Sequence, residues 1–258
     1  MDNFPLQYRT TCEQIVLQHN FTRKKNVFIR VINDVCQSFY MERLSRGAYK
    51  KTCRIGFSIL PLCQKLNAQQ IEGGIGLYYL RQFEINDKAE LDGWCYELTS
   101  ESISVCIDEI ARYLEVHLIP LFERANCTAS AFNELLDLEK LFNENRIACL
   151  RLNGSTDFLG SNTWLNLLDS AKYYMALKNK NYDYAKASRK ALLQQNLASY
   201  ENAKEFLSEE SLVERMDSIL RLKEEISFLD SKDTRFFQHL IEVNESYSSE
   251  SLKRYISV

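Results

Sequence analysis

Apolar residues open the chain at helical steps. Leu6, Cys12, Ile15 and Val16 fall on one face, which predicts a helix over residues 6–18 before His19-Asn20 interrupts the pattern. The period then changes. Val27–Ile32 is apolar and β-rich, Asn33-Asp34 supplies a turn, and residues 35–44 predict a second strand. In residues 53–60, Cys53, Ile55, Phe57 and Ile59 alternate with Arg54, Gly56 and Ser58, so one face is expected on a core and the other open. Residues 75–83 repeat the alternation. The connections are too short for parallel crossovers, and a four-stranded antiparallel meander is expected.

After Trp94 the spacing becomes helical. Thr99 or Ser100 can cap a helix whose stripe is Ile103, Ile107, Ile110, Leu114, Leu118 and Leu121, with Pro120 expected to bend or shorten its last turn. A further helix is predicted over residues 131–143, with Phe132, Leu135, Leu136 and Leu141 inward. Asn153-Gly-Ser-Thr-Asp is a run of turn formers and divides the chain into regions 1–152 and 158–258. Beyond it four helices are expected. The first is carried by Trp164, Leu167, Leu168, Ala171 and Met175, and the second opens at Asn181. The third starts at Ser208 with Leu212, Met216, Ile219 and Ile226, and the fourth covers residues 234–247 through Phe236, Phe237, Leu240 and Ile241. The fold class is α+β: a four-stranded antiparallel sheet packed with helices, followed by an all-helical C-terminal region.

Composition supports this division. Only 8 Gly and 3 Pro occur in 258 residues, as long helices require. The net charge of −3 by itself implies neither a nucleic-acid nor a membrane partner. The charge is unevenly spread, however. Residues 1–100 hold 13 Lys and Arg against 10 Asp and Glu, whereas the rest hold 19 against 25. Residues 23–54 carry nine basic side chains against Asp34 and Glu42. The eight cysteines stand singly with no Cys-x-x-Cys, and residues 1–8 lack the pattern of a secretory signal. Reduced core thiols and a cytoplasmic location are the expectation.

A helix, then Phe21-Thr-Arg-Lys-Lys-Asn-Val-Phe-Ile-Arg30, a strand series, Trp94, and a helix ending Leu118-Ile-Pro-Leu-Phe122 together resemble the bacterial family called domain of unknown function 4304, over residues 5–145. The resemblance implies a small cytoplasmic protein without established catalytic residues. It also implies an immunity-like role, because some members are suspected from gene context to neutralise partner toxins. It supplies no functional residues to carry over.

Local signatures of catalysis are weak. His19, His117 and His239 are scattered, which argues against a metal site. Cys36 and Cys53 are flanked by the basic segment, yet neither has a base at a recognisable spacing. Gly73-Gly-Ile-Gly76 precedes a strand, whereas phosphate loops follow one, so a turn is expected there. No cofactor or metal is expected. The chemistry-bearing feature is the basic segment, where Arg23, Lys24, Lys25, Arg30, Arg43 and Arg54 are candidate contacts to nucleic acid or a protein partner. With Arg81, Phe28, Phe39, Tyr40, Tyr78 and Tyr79 they could form a face that stacks on single-stranded nucleic acid. Alternatively the aromatics face the covering helices and nearby carboxylates offset the charge. The expected function is therefore non-enzymatic binding of another protein, the acidic helical half meeting a basic partner. Nucleic-acid binding is the first alternative and an unrecognised enzyme the second, with no membrane role.

Overall fold

The computed structural model describes residues 3–45, 49–71, 78–79, 94–153, 163–231 and 234–255. It has an antiparallel sheet clasped by helices and an all-helical C-terminal region. The sheet runs in the order β1 (Thr22–Lys24), β2 (Val27–Ile32), β3 (Val35–Ser45), β4 (Lys50–Pro61) and β5 (Tyr78–Tyr79), and β6 (Trp94–Glu97) also pairs with β4. The three long strands lie where the sequence predicts them, β4 by its alternation and β2 and β3 by their β-rich composition and the turn between them. β1 and β6 are additions, too short to show a period. Of the strand predicted over residues 75–83, Tyr78 and Tyr79 are described and pair with Phe57 and Gly56; the remainder, with the Gly73–76 turn and Arg81, lies outside the described residues.

Register fixes which side chains share a face. Arg23, Phe28, Phe39 and Phe57 stand in one cross-strand row, and Arg30, Gln37 and Ile59 in the next. This face meets α1 (Phe4–Val16), α3 (Ser100–Tyr113) and α4 (Ile119–Arg124). Phe122 approaches Phe57 edge-on at 6.1 Å and Phe21 at 5.5 Å between ring centroids, and Phe4 stacks on Tyr96 at 4.3 Å. Phe4, Tyr8, Cys12 and Ile15 form the buried stripe of α1. Leu6 lies on the opposite side of that helix and is 64% exposed, contrary to its expected inward position.

The other face is also closed. Thr52, Ser38 and Ser58 are buried, the two serine hydroxyls are 2.7 Å apart, and the Tyr40 ring lies across Gly56. The expectation that β4 leaves one face open is thus corrected. Its small polar residues serve close packing rather than solvation.

Thr99 caps α3 by accepting from the Ser102 amide at 3.2 Å, and all six residues of the predicted stripe are buried. Pro120 does not end the helix. A wider π-type turn at Leu114–Leu118 precedes α4, which accommodates the missing proline N–H, and the helical path continues to Arg124. Next come a short α2 (Ala68–Ile71), which follows β4 in the chain, and a long α5 (Thr128–Asn153), which runs further in both directions than predicted. Asp34 accounts for the early start of α5. Its carboxylate accepts from the Thr128 amide at 2.8 Å and from the Thr128 hydroxyl.

The C-terminal helices are α6 (Thr163–Lys178), α7 (Tyr182–Ala203), α8 (Glu209–Ser231) and α9 (Thr234–Leu252). Asn181 caps α7 and Ser208 caps α8, each at the residue predicted to open its helix. These helices share one continuous core with the sheet, through Tyr173, Met175, Phe237, Ile241, Leu252 and Tyr255 among others. The turn-forming run after Asn153 lies outside the described residues.

Candidate functional site

The basic segment does not remain together. Arg30 leaves the surface entirely. It is 5% exposed, its guanidinium lies 4.8 Å from the Phe21 ring centroid, and its Nε donates to Gln37 Oε1 at 2.6 Å. Its Nη1 donates to the His19 carbonyl at 3.0 Å and to Glu123 Oε1 at 2.7 Å. Gln37 in turn donates to the carbonyls of Phe122 and Ala125. Arg30 therefore ties β2 and β3 to the end of α4. Phe28 and Phe39 stack on one another at 4.8 Å inside the core, so they offer no platform for a base.

Arg23, Lys25 and Arg43 do converge. They line a cleft of about 250 Å³ between α1 and the β1–β2 turn, with Arg9, Asn26 and Tyr8. Arg23 shares a sheet face with Phe28, and Arg43 lies two residues beyond Met41 along β3 on that same face. The Arg43 guanidinium is 5.7 Å from the Phe4 ring centroid, while Arg23 Nε is paired with Glu13 at 2.5 Å on the rim. Lys25 has φ of 55°, a left-handed value that lets the two-residue turn close. Lys24 is exposed and sits in register with Val27, on the opposite face from Arg23. Arg54 pairs in register with Glu42, and its side chain lies outside the described residues. Arg9 carries no sequence signal beyond its place next to Tyr8 on α1.

The thiols divide by environment. Burial pushes Cys12, Cys36 and Cys63 up to about 12. Cys53 lies 4.0 Å from Cys106, and that thiol contact together with burial raises it strongly. Neither of the flagged cysteines, Cys36 and Cys53, has the electropositive exposed setting of a nucleophile. Cys127 differs. It is half-exposed before the first turn of α5, and its contact with the Ser130 hydroxyl at 3.4 Å, aided by helix amides, lowers its pKa. His19 reaches Glu123 Oε1 through Nδ1 at 3.3 Å, and His117 packs against the Tyr113 ring. Among the described residues no group of three or more His, Cys, Asp or Glu is placed to hold a metal ion.

A second cleft of about 630 Å³ lies between α5, α6 and α7. At its base Lys172, 2% exposed, donates to Glu139 at 2.7 Å and pairs with Asp169 at 3.0 Å. Burial pulls the Lys172 ammonium down, but the two carboxylates outweigh it and its pKa is raised. Arg189 sits 3.3 Å over the Tyr173 ring and pairs with Glu225. These buried cations are neutralised within the fold, so they brace the helices rather than await an anion. The sequence signal was a lysine inside the apolar stretch Ala171-Lys-Tyr-Tyr-Met175.

Beyond this brace the α7–α8 pair loses its cover. From residue 190 to residue 218 no residue is buried, and Leu197, Phe206 and Val213 are exposed, Phe206 at 84%. At about 1.5 Å per residue the uncovered part of α7 extends roughly 20 Å. Its end is acidic: Glu201, Glu205, Glu209, Glu210, Glu214 and Asp217 face only Lys204 and Arg215 over residues 201–217. The periodicity of Leu212 and Met216 predicted a buried helix face, whereas both are only half-buried.

No protein-family model, curated protein or solved structure matches this chain. Among the described residues no helix is long and apolar enough to cross a membrane.

Proposed function

We propose that this chain is a non-enzymatic cytoplasmic binding protein that grips a basic protein partner with the uncovered end of the α7–α8 hairpin. The observation that carries the reading is the hairpin itself, two long helices whose outer halves hold no fully buried residue yet present Leu197, Phe206 and Val213 among carboxylates. Exposed apolar residues ringed by like charge suit a partner with an apolar contact inside a basic rim. The resemblance of residues 5–145 to the domain of unknown function 4304 family points the same way, toward an immunity-like protein that would meet a cationic toxin. The nucleic-acid alternative is weakened because Arg30, Phe28 and Phe39 are committed to the core.

The test places a photo-crosslinking amino acid at position 206 of the full chain in its native host, with position 105, also exposed, as the control. A discrete adduct to a basic protein is expected at 206 alone. It should diminish with rising salt and disappear in a Glu209→Lys, Glu210→Lys variant. An adduct to nucleic acid, or equal labelling from both positions, overturns the reading.

A further inference from the structure

We infer that a pocket at the root of the α7–α8 hairpin binds a small planar heteroaromatic ring, nucleobase-like, whose edge carries adjacent N–H groups. The pocket has a volume of about 440 Å³ and lies among the start of α7, the end of α8 and the start of α9. It stands at the opposite end of the hairpin from the uncovered segment, so it is a site apart from the one that grips a protein partner. Three aromatic side chains from three helices border it: Tyr182, Phe228 and Phe237. Phe237 is buried, and the other two are half-buried.

The aromatic wall is built in advance. Phe236 stacks on Phe228 with 4.3 Å between ring centroids and 11° between planes. Phe236 also meets Phe237 edge-on at 5.1 Å, and Phe237 lies 6.4 Å from Tyr182. Phe236 takes one face of Phe228, and the rest of that ring is left to the pocket it borders. A flat ligand ring continues this stack, which a branched aliphatic group cannot do. Because the rings already hold one another, little ordering cost falls on binding.

The charged groups select the ligand's edge. Asp183, Lys186 and Asp230 line the pocket, and Lys186 pairs with Asp230, so those two offset each other. Asp183 is exposed in the first turn of α7 and has no ion pair or side-chain hydrogen bond among the described residues. A carboxylate can accept two parallel N–H bonds, as it does from an arginine fork, and a ring edge with two neighbouring N–H groups offers the same pattern. Thr234, at the start of α9, adds a hydroxyl that can donate or accept. The volume falls within the range of small-molecule sites and admits a single nucleoside.

Isothermal titration calorimetry of the full chain with guanosine and with inosine tests the assignment. Guanosine carries an amino group beside its ring N–H, and inosine lacks that amino group. Saturable binding of guanosine is expected, with inosine at least fivefold weaker. Asp183→Asn, at an exposed position, should weaken guanosine at least fivefold and bring it level with inosine. Phe228→Leu should weaken both nucleosides at least tenfold, with thermal unfolding confirming that each variant folds. Should the Phe228 variant not fold, Asp183→Asn and the inosine comparison still decide. Asp217→Asn, towards the hairpin tip, should leave both affinities unchanged. The assignment is overturned if guanosine does not bind at millimolar concentration, if inosine binds as tightly, or if the Asp183 variant binds guanosine as the parent does. It is equally overturned if a guanine-containing single strand binds with an affinity that rises with its length and is insensitive to Asp183→Asn.

Discussion

Arg30 and Glu123 lie 93 residues apart in sequence, yet Arg30 Nη1 donates to Glu123 Oε1 at 2.7 Å, joining the second strand to the helix that covers it. The same guanidinium holds Gln37 and the His19 carbonyl, so removing it leaves buried polar groups without a partner. Arg30→Ala should lower unfolding stability by about 2–3 kcal/mol. Lys24→Ala, at an exposed strand position, should change it by less than about 0.5 kcal/mol. Urea unfolding of the two variants checks the contrast, and equal effects would show that Arg30 is not the tie described.

Acid should act on the same contact. Partial burial pushes the Glu123 carboxyl up, but Arg30 and His19 outweigh it and hold the group below its ordinary value of 4.5. A carboxylate depressed in the folded state contributes stability that is complete above about pH 4.5 and is lost as pH falls through the depressed value. Glu123→Gln should therefore be less stable than the parent at pH 7, with the gap narrowing in acid. Urea midpoints measured from pH 7 to pH 3 would show this, and a gap of constant size would contradict it.

Gly56 makes a prediction about packing. A Cβ placed there would lie 2.7 Å from Tyr40 Cζ, inside van der Waals contact with a rigid ring. Gly56→Ala should destabilise by about 1–3 kcal/mol. In a Tyr40→Leu background the same change should cost clearly less, because the obstructing ring is gone. A double-mutant cycle measures the coupling directly, and additive costs would mean that the ring does not set the requirement for glycine.

Thiol chemistry should follow environment. At pH 7 iodoacetamide should alkylate Cys127 ahead of Cys12, Cys36, Cys53, Cys63 and Cys106, which are buried. Peptide mass spectrometry over a time course identifies the order, and the Cys127→Ser variant should lose that early adduct. Early modification of Cys36 or Cys53 would contradict the assigned burial.

Period made much of the fold legible. The alternation of Cys53, Ile55, Phe57 and Ile59 located β4, and Thr99, Asn181 and Ser208 marked helix starts through their capping chemistry. Three or four residues carry no period, so β1 and β6 leave no signature in the sequence. Long-range partners were equally hidden. Nothing adjacent to Arg30 announces Glu123, so a core arginine looked like a surface contact. Gly56 and Ser58 read as part of a solvated face because their small size and polarity suit either solvent or tight packing. At the cleft, composition gave Arg23, Lys25 and Arg43, but only the register and the placement of α1 show that these meet Arg9 and that Lys24 does not. The hairpin was legible as two helices. That no further layer of the described residues covers its outer half shows only in the assembled fold.

The last helix also bears on the order of assembly during synthesis. Asn244 on α9 donates to the Cys63 carbonyl, and Ser248 accepts from the Leu66 amide, both at 2.8 Å, so the turn after β4 is completed by residues some 180 positions later. On the ribosome that turn waits with exposed backbone groups until α9 has emerged. The sheet can begin early, but the molecule closes only when its far end returns.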